Sequence, residues 1–171
     1  MDVFGMIVVA IITGTGGGTL RSLFLGDVPP VFIDPAYLII AGAATAFIAF
    51  CQSFWERFTR IVSFFDALGL GVFVCIGIRI AQNHDLDWWA ALAMGVITAT
   101  FGGVLRDIVR NEIPLIFRKE IYATACLLGG LVLLGLDALS VPASISITIT
   151  AILTAAIRII AVRYAINRSE G

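Results

Sequence analysis

Charge is scarce in this chain. Eleven Lys and Arg and twelve Asp and Glu make up 13% of its 171 residues, histidine occurs once, and the formal net charge is -1. No run of Lys or Arg marks a nucleic-acid groove, so a nucleic-acid partner is excluded. Cysteine is also sparse. Cys51, Cys75 and Cys126 each sit inside an apolar run, without metal-ligand spacing. They read as small buried residues and supply neither a disulfide framework nor a metal cluster. No nucleophile–base set appears, so the chain reads as a non-enzyme without a cofactor or a resident metal. A basic leader is lacking too: Met1 and Asp2 lead straight into apolar sequence, which argues against a cleavable signal peptide.

Apolar residues are what the chain has in excess. They are 60% of it, and its mean hydropathy is +1.03. A domain of this length cannot hide that much apolar surface from water, so the runs read as membrane spans. Six are expected: 3–25, 36–54, 61–81, 88–109, 121–136 and 143–166. In the last, SISITIT alternates like a strand, but more than 20 unbroken residues in a membrane chain predict a helix. Asp27-Val28-Pro29-Pro30 is expected to stop the first span, since proline lacks the N–H a helix needs. Asp34-Pro35 reads as an N-cap for the second. Glu56–Arg60 reads as a loop, and Trp88-Trp89 as an interfacial anchor.

Residues 12–37, ITGTGGGTLRSLFLGDVPPVFIDPAY, align without a gap to 97–122, ITATFGGVLRDIVRNEIPLIFRKEIY. Ten positions are identical, among them Thr15/Thr100, Gly17/Gly102, Gly18/Gly103, Leu20/Leu105, Arg21/Arg106 and Pro29/Pro114. Such an internal repeat governs every other reading of the chain. The glycines are expected to break both helices, at Gly14–Gly18 and again at Gly102-Gly103. Three crossings separate the copies, so the second is inverted relative to the first. The expected fold is therefore an all-α polytopic membrane protein with an inverted-topology repeat and two glycine-broken helices. Residues 1–60 form a first, incomplete unit, 61–136 the second and inverted unit, and 137–171 an extra C-terminal helix. This is a 3+3+1 plan lacking its first helix, whose complete form would place the N-terminus outside.

Arg57, Arg60, Arg110, Arg118, Lys119, Arg163 and Arg168 fall on the Met1 side of the spans. Asp27, Asp34, His84, Asp85, Asp87 and Asp137 fall on the other. The positive-inside rule puts the C-terminus, and Met1 of this chain, in the cytoplasm.

A helix break in lipid is tolerated only in protein or beside water. Bare Gly-Gly-Gly carbonyls, with the Thr15 and Thr100 hydroxyls at the same level, could replace part of an ion's water shell. The competing reading is a kink that lets helices pack closely. Two breaks entering from opposite sides favour the ion path. Arg21 and Arg106, one turn beyond each break, are costly in lipid and should face protein or water unless they snorkel. Asp107 can neutralise Arg106, whereas Ser22 cannot do so for Arg21. The arginines could cap carbonyls, hold a lipid phosphate or gate the path. Asp66 reads as a helix cap, Arg79 as a snorkelling residue, and His84 as plain surface.

With DVFG at 2–5, TGTGGGTLRSLFLGDVPPVF at 13–32, DALGLGVF at 66–73 and ITATFGGVLRDIVRNEIPLIFRKEIYA at 97–123 in view, the chain resembles the prokaryotic TRIC family, the trimeric intracellular cation channels. Their small relatives carry the name glycine-transporter domain. The resemblance implies a homotrimer in a bacterial inner or archaeal cell membrane, with an ion path through each protomer. It also implies that Gly16, Gly17, Gly18, Arg21, Gly102, Gly103, Arg106 and Asp107 line that path; Thr15 and Thr100, level with the breaks, and Ser22 beside Arg21 are expected to line it too, with a transient monovalent cation near Gly17 and Gly102. Ser22 stands where the family motif has Asp, and Phe101 replaces a glycine. The implied function is a monovalent cation channel, for potassium, with bound lipid as a further partner. The alternative is a secondary carrier of a small zwitterion such as glycine.

Overall fold

The computed structural model describes residues 3–50, 55–118 and 121–169. They form α1 (Val3–Leu25), α2 (Pro30–Ile33), α3 (Ala36–Phe50), α4 (Trp55–Asn83), α5 (Trp88–Val109), α6 (Leu115–Arg118), α7 (Ala123–Ala138) and α8 (Ala143–Ser169). Cys51 and Lys119, and the side chains of Arg57, Arg60 and Arg168, lie outside the described residues. The repeat is visible in the element order. Helix, short helix and helix recur as α1–α2–α3 and α5–α6–α7, and α2 and α6 occupy matching positions 85 residues apart.

Among the described residues four helices are long and apolar enough to cross a membrane, at Phe4–Leu25, Phe64–Asn83, Trp88–Val109 and Ala143–Arg163. Ala36–Phe47 and Ala123–Ala138 are apolar but shorter. The expected spans 3–25, 61–81, 88–109 and 143–166 thus reach the length of a hydrocarbon core, the one expected at 121–136 is shorter, and the one expected at 36–54 runs past the described residues at 50. Sixteen helical residues rise only about 24 Å, against a core of about 30 Å.

The α4 helix is the hub, packing on α5, α7 and α8, while α1 packs on α5 and α3. Its buried stripe, Leu70, Val74, Ile78 and Ala81, follows the helical repeat and meets Ala91, Leu92 and Ala99 of α5 and Cys126 and Leu133 of α7. Small residues let the backbones approach. A Cβ on Gly77 would stand 2.7 Å from the Gly95 Cα, and one on Gly95 2.9 Å from the Val74 carbonyl oxygen. Large apolar side chains instead cover the outside, with Phe32, Ile39, Phe47, Phe117 and Ile152 all exposed. That inversion of the usual order belongs in lipid, where apolar surface has no water to avoid. Trp88 and Trp89 are exposed too, as an interfacial anchor requires.

Helix ends depart from expectation in instructive ways. The α1 helix stops before its prolines, at Gly26, whose φ of +76° turns the chain while the Asp27 N–H donates to the Ser22 carbonyl at 2.8 Å. This is a Schellman turn. Its repeat mate closes α5, with Asn111 at φ +55° and the Glu112 N–H donating to the Asp107 carbonyl at 2.8 Å. Asp34 does cap the following turn: its Oδ1 accepts from the Ala36 N–H at 2.8 Å. Glu56–Arg60, expected as a loop, is helical and opens α4. A polar stretch does not end a helix that simply continues beyond the lipid. Asp66 consequently sits well inside α4 and cannot be its cap.

Candidate functional site

Each copy of the repeat begins with threonines that bond to their own helix. Thr13 Oγ1 donates to the Val9 carbonyl and Thr98 Oγ1 to the Met94 carbonyl, both at 2.6 Å. Thr15 donates to Ile11 at 2.7 Å, and Thr100 to Val96 at 2.8 Å. The hydroxyl protons are therefore committed, and only oxygen lone pairs remain to face a ligand.

The glycines do not break either helix. Both α1 and α5 run unbroken through them. Without competing water, an intrahelical hydrogen bond is worth more than the propensity lost at glycine. What the glycines provide is space. A Cβ at Gly17 would land on the Thr98 carbonyl oxygen, and a Cβ at Gly102 on the Thr13 carbonyl oxygen. These are one contact written twice, exchanged by the offset of the repeat. As residue numbers rise along α1 they fall along α5, so the helices cross antiparallel. Thr15 and Thr100 are level with the midpoint of the two contacts but are turned about 180° from the crossing face of each helix. Gly16 is buried as well, and a Cβ there would meet Leu105 Cδ1 at 2.8 Å.

The last glycine of each copy lies beside its arginine. Gly18 would set a Cβ 3.9 Å from the Arg21 guanidinium, and Gly103 one 3.8 Å from that of Arg106. The arginines stand six residues past Thr15 and Thr100, about 9 Å along each helix and toward opposite ends. Arg21 is only 5% exposed, and Ser22 beside it is buried. Arg106 pairs through Nε with Asp107 Oδ1 at 2.9 Å, and Asp107 Oδ2 accepts the Leu115 N–H at 3.0 Å. Asp107 therefore neutralises Arg106 and also ties α6 to α5.

At the Arg106 end a cavity of about 250 Å³ is lined by Asp66 of α4, Arg106 and Asp107 of α5, Arg118 of α6, Arg158 of α8 and the Arg110–Glu112 pair. Arg158 is 4% exposed; it donates to the Ile121 carbonyl at 3.2 Å and stacks over the Tyr122 ring at 4.8 Å. At the far end Arg79 is no snorkelling residue. It makes a bidentate pair with Asp137, at 2.8 Å for both bonds, and also bonds Ser146 and Gln82. Its partner lies 58 positions away, out of reach of a local reading. His84, read as plain surface, pairs with Asp27 at 2.9 Å. Cys75 and Cys126 are buried, as expected.

Asp66 and Arg158 were missed as site residues. Arg158 had a signal: Ser146, Thr150, Thr154 and Arg158 recur every four residues on α8, and all are buried. Among the described residues no group of three His, Cys, Asp or Glu could hold a metal ion.

The sequence model of the family described as Glycine transporter matches residues 1–53 and 63–138. The inner membrane protein YadS of Escherichia coli K12, a UPF0126 protein, is 37% identical over 167 residues, covering 96% of this chain and 81% of its own length. The structure of the TRIC trimeric intracellular cation channel orthologue from Rhodobacter sphaeroides superposes with a TM-score of 0.91 at 34% identity, over 96% of this chain and 86% of that one. A structure described under conductance through TRIC cation channels superposes with a TM-score of 0.84, also at 34% identity, over 96% of this chain and 82% of the other. The chain belongs to the glycine transporter family, and its fold is that of the TRIC channels.

Proposed function

We propose that the protein is a cation channel whose ion path runs inside each protomer along the α1–α5 crossing. The observation that carries this reading is the crossing itself. Two copies of one motif meet head to tail through Gly17–Thr98 and Gly102–Thr13, and an arginine stands at each end. The likeness to TRIC cation channels supports the same reading. In this account Thr15, Gly16, Gly17, Gly18, Ser22, Thr100, Gly102, Gly103 and Asp107 line the path with Arg21 and Arg106. The cavity at Asp66, Arg106 and Arg158 is its mouth. Thr15 and Thr100 meet the path only where it passes the faces of α1 and α5 turned away from the crossing, and there offer oxygen lone pairs.

The permeant ion in this proposal is monovalent, with potassium as the physiological species. The assembly is a homotrimer in the inner membrane, with lipid filling its outer surface. Units 1–60 and 61–136 are the inverted halves, and 137–171 is the added helix. The arginine-rich mouth and the C-terminus face the cytoplasm, following the positive-inside rule.

Recordings from the purified protein in planar bilayers test this. Potassium currents altered by both Arg21→Ala and Arg106→Ala are expected. Currents indifferent to both would move the path away from the crossing. Glycine, as an added solute, is expected to leave the currents unchanged. Glycine movement coupled to ion movement would favour the carrier reading instead.

A further inference from the structure

The two arginines are repeat mates, but only one has a counter-ion built into the fold. Arg106 has Asp107 at 2.9 Å, and Asp107 in turn holds the Leu115 N–H at 3.0 Å. In the first copy both halves of that arrangement are gone. The mate of Asp107 is Ser22, which has no charge, and the mate of Leu115 is Pro30, which has no N–H to donate. The remainder of the local geometry is retained: Gly18 lies beside the Arg21 guanidinium as Gly103 lies beside that of Arg106. Arg21 is buried, and its Nε has no hydrogen-bond partner. The titratable groups that act on it are Tyr37 and Asp27. Asp27 acts on Arg21 without a hydrogen bond to it, and its carboxylate lies instead 2.9 Å from His84 Nε2, in a largely exposed pair.

On the channel reading above, we infer that Arg21 is a positive charge without a paired carboxylate at one end of the ion path, and that Ser22 is the position that decides it. The chain thereby carries a local electrostatic barrier to cations at Arg21. Arg106 itself is paired with Asp107, in a mouth that also holds Arg110, Arg118 and Arg158 beside Asp66 and Glu112. Cations passing Arg21 meet this barrier, and cation-over-anion selectivity is weakened. Placing a carboxylate at 22 restores the missing half of the pair, because the repeat shows that an aspartate at this position reaches the arginine Nε. A unit charge about 8 Å from an ion in a water-filled path changes its local concentration about twofold, and more where the path is drier.

The test uses the full chain in excised patches of known orientation, with potassium chloride at low ionic strength. Reversal potentials are measured under a salt gradient, together with currents in both directions. Ser22→Asp and Arg21→Gln are each expected to raise cation current entering from the Arg21 end by at least about twofold. Both should move the reversal potential toward that of potassium. The effect should shrink at about 1 M salt, where the screening length falls to about 3 Å. Should Ser22→Asp fail to assemble, Arg21→Gln carries the test alone, since it removes the charge without adding one. A current that Arg21→Gln leaves unchanged overturns the inference while the channel reading stands. No current under any condition overturns the channel reading and the inference with it.

Discussion

Replacing Gly17 by alanine probes the α1–α5 crossing most sharply. The added Cβ would fall on the backbone carbonyl oxygen of Thr98, and ordinary contact needs 3.4–4 Å. A backbone oxygen held in a helix cannot swing aside, so the two helices must part. Overpacking of this kind costs about 1–3 kcal/mol. Alanine also restores helix propensity worth up to about 1 kcal/mol, which would mask part of the loss. Gly14 supplies the control, because it lies on the same helix with nothing within 4 Å of its Cβ position. Gly14→Ala receives the propensity gain alone. The difference between the two variants therefore isolates the crossing and should be about 1–3 kcal/mol. Once the helices have parted, the mate contact of Gly102 with Thr13 has parted as well. The double variant Gly17→Ala/Gly102→Ala should then cost less than the two single variants added together. Equilibrium unfolding in mixed micelles measures all four. Equal stability of Gly17→Ala and Gly14→Ala would refute the reasoning, and strict additivity would refute the claim that the two contacts are one crossing.

Three further outcomes are expected. Gly103→Ala should destabilise, because its Cβ would stand 2.8 Å from the Tyr122 hydroxyl, and Tyr122→Phe should rescue it, since the next ring atom is 3.8 Å away; thermal unfolding of the double variant decides. Asp137→Asn should cost about 1–3 kcal/mol by leaving Arg79 half-buried without its bidentate partner, while a paired Arg79→Met/Asp137→Leu variant should recover most of the loss; melting temperatures of the three variants check this. Gly17→Leu and Gly102→Leu should each lower potassium flux in vesicles containing equal amounts of assembled protein, and flux left intact by either would remove that half of the crossing from the path.

Much of this fold could be read from residues alone, because lipid enforces it. The spans at 3–25 and 88–109 are those observed, and the 85-residue offset recurs in α2 and α6, in the paired Schellman turns and in the threonine hydrogen bonds. The Arg106–Asp107 pair was legible because its partners are adjacent. Features that depend on a distant partner were not. Gly17 and Gly102 look like helix breakers until the opposing carbonyl is known, since a glycine that admits another backbone has the same sequence as one that unwinds. Arg79 needed Asp137, and Arg158 needed Tyr122. Asp66 was misplaced because polarity at 56–60 marks the edge of the lipid and not the end of the helix.

The central claim is that the crossing conducts cations. Potassium efflux from proteoliposomes, measured beside glycine uptake in the same vesicles, tests it most directly. The account predicts potassium efflux that glycine does not alter, with no saturable glycine entry. Saturable glycine entry without potassium efflux would contradict it and make the fold that of a carrier.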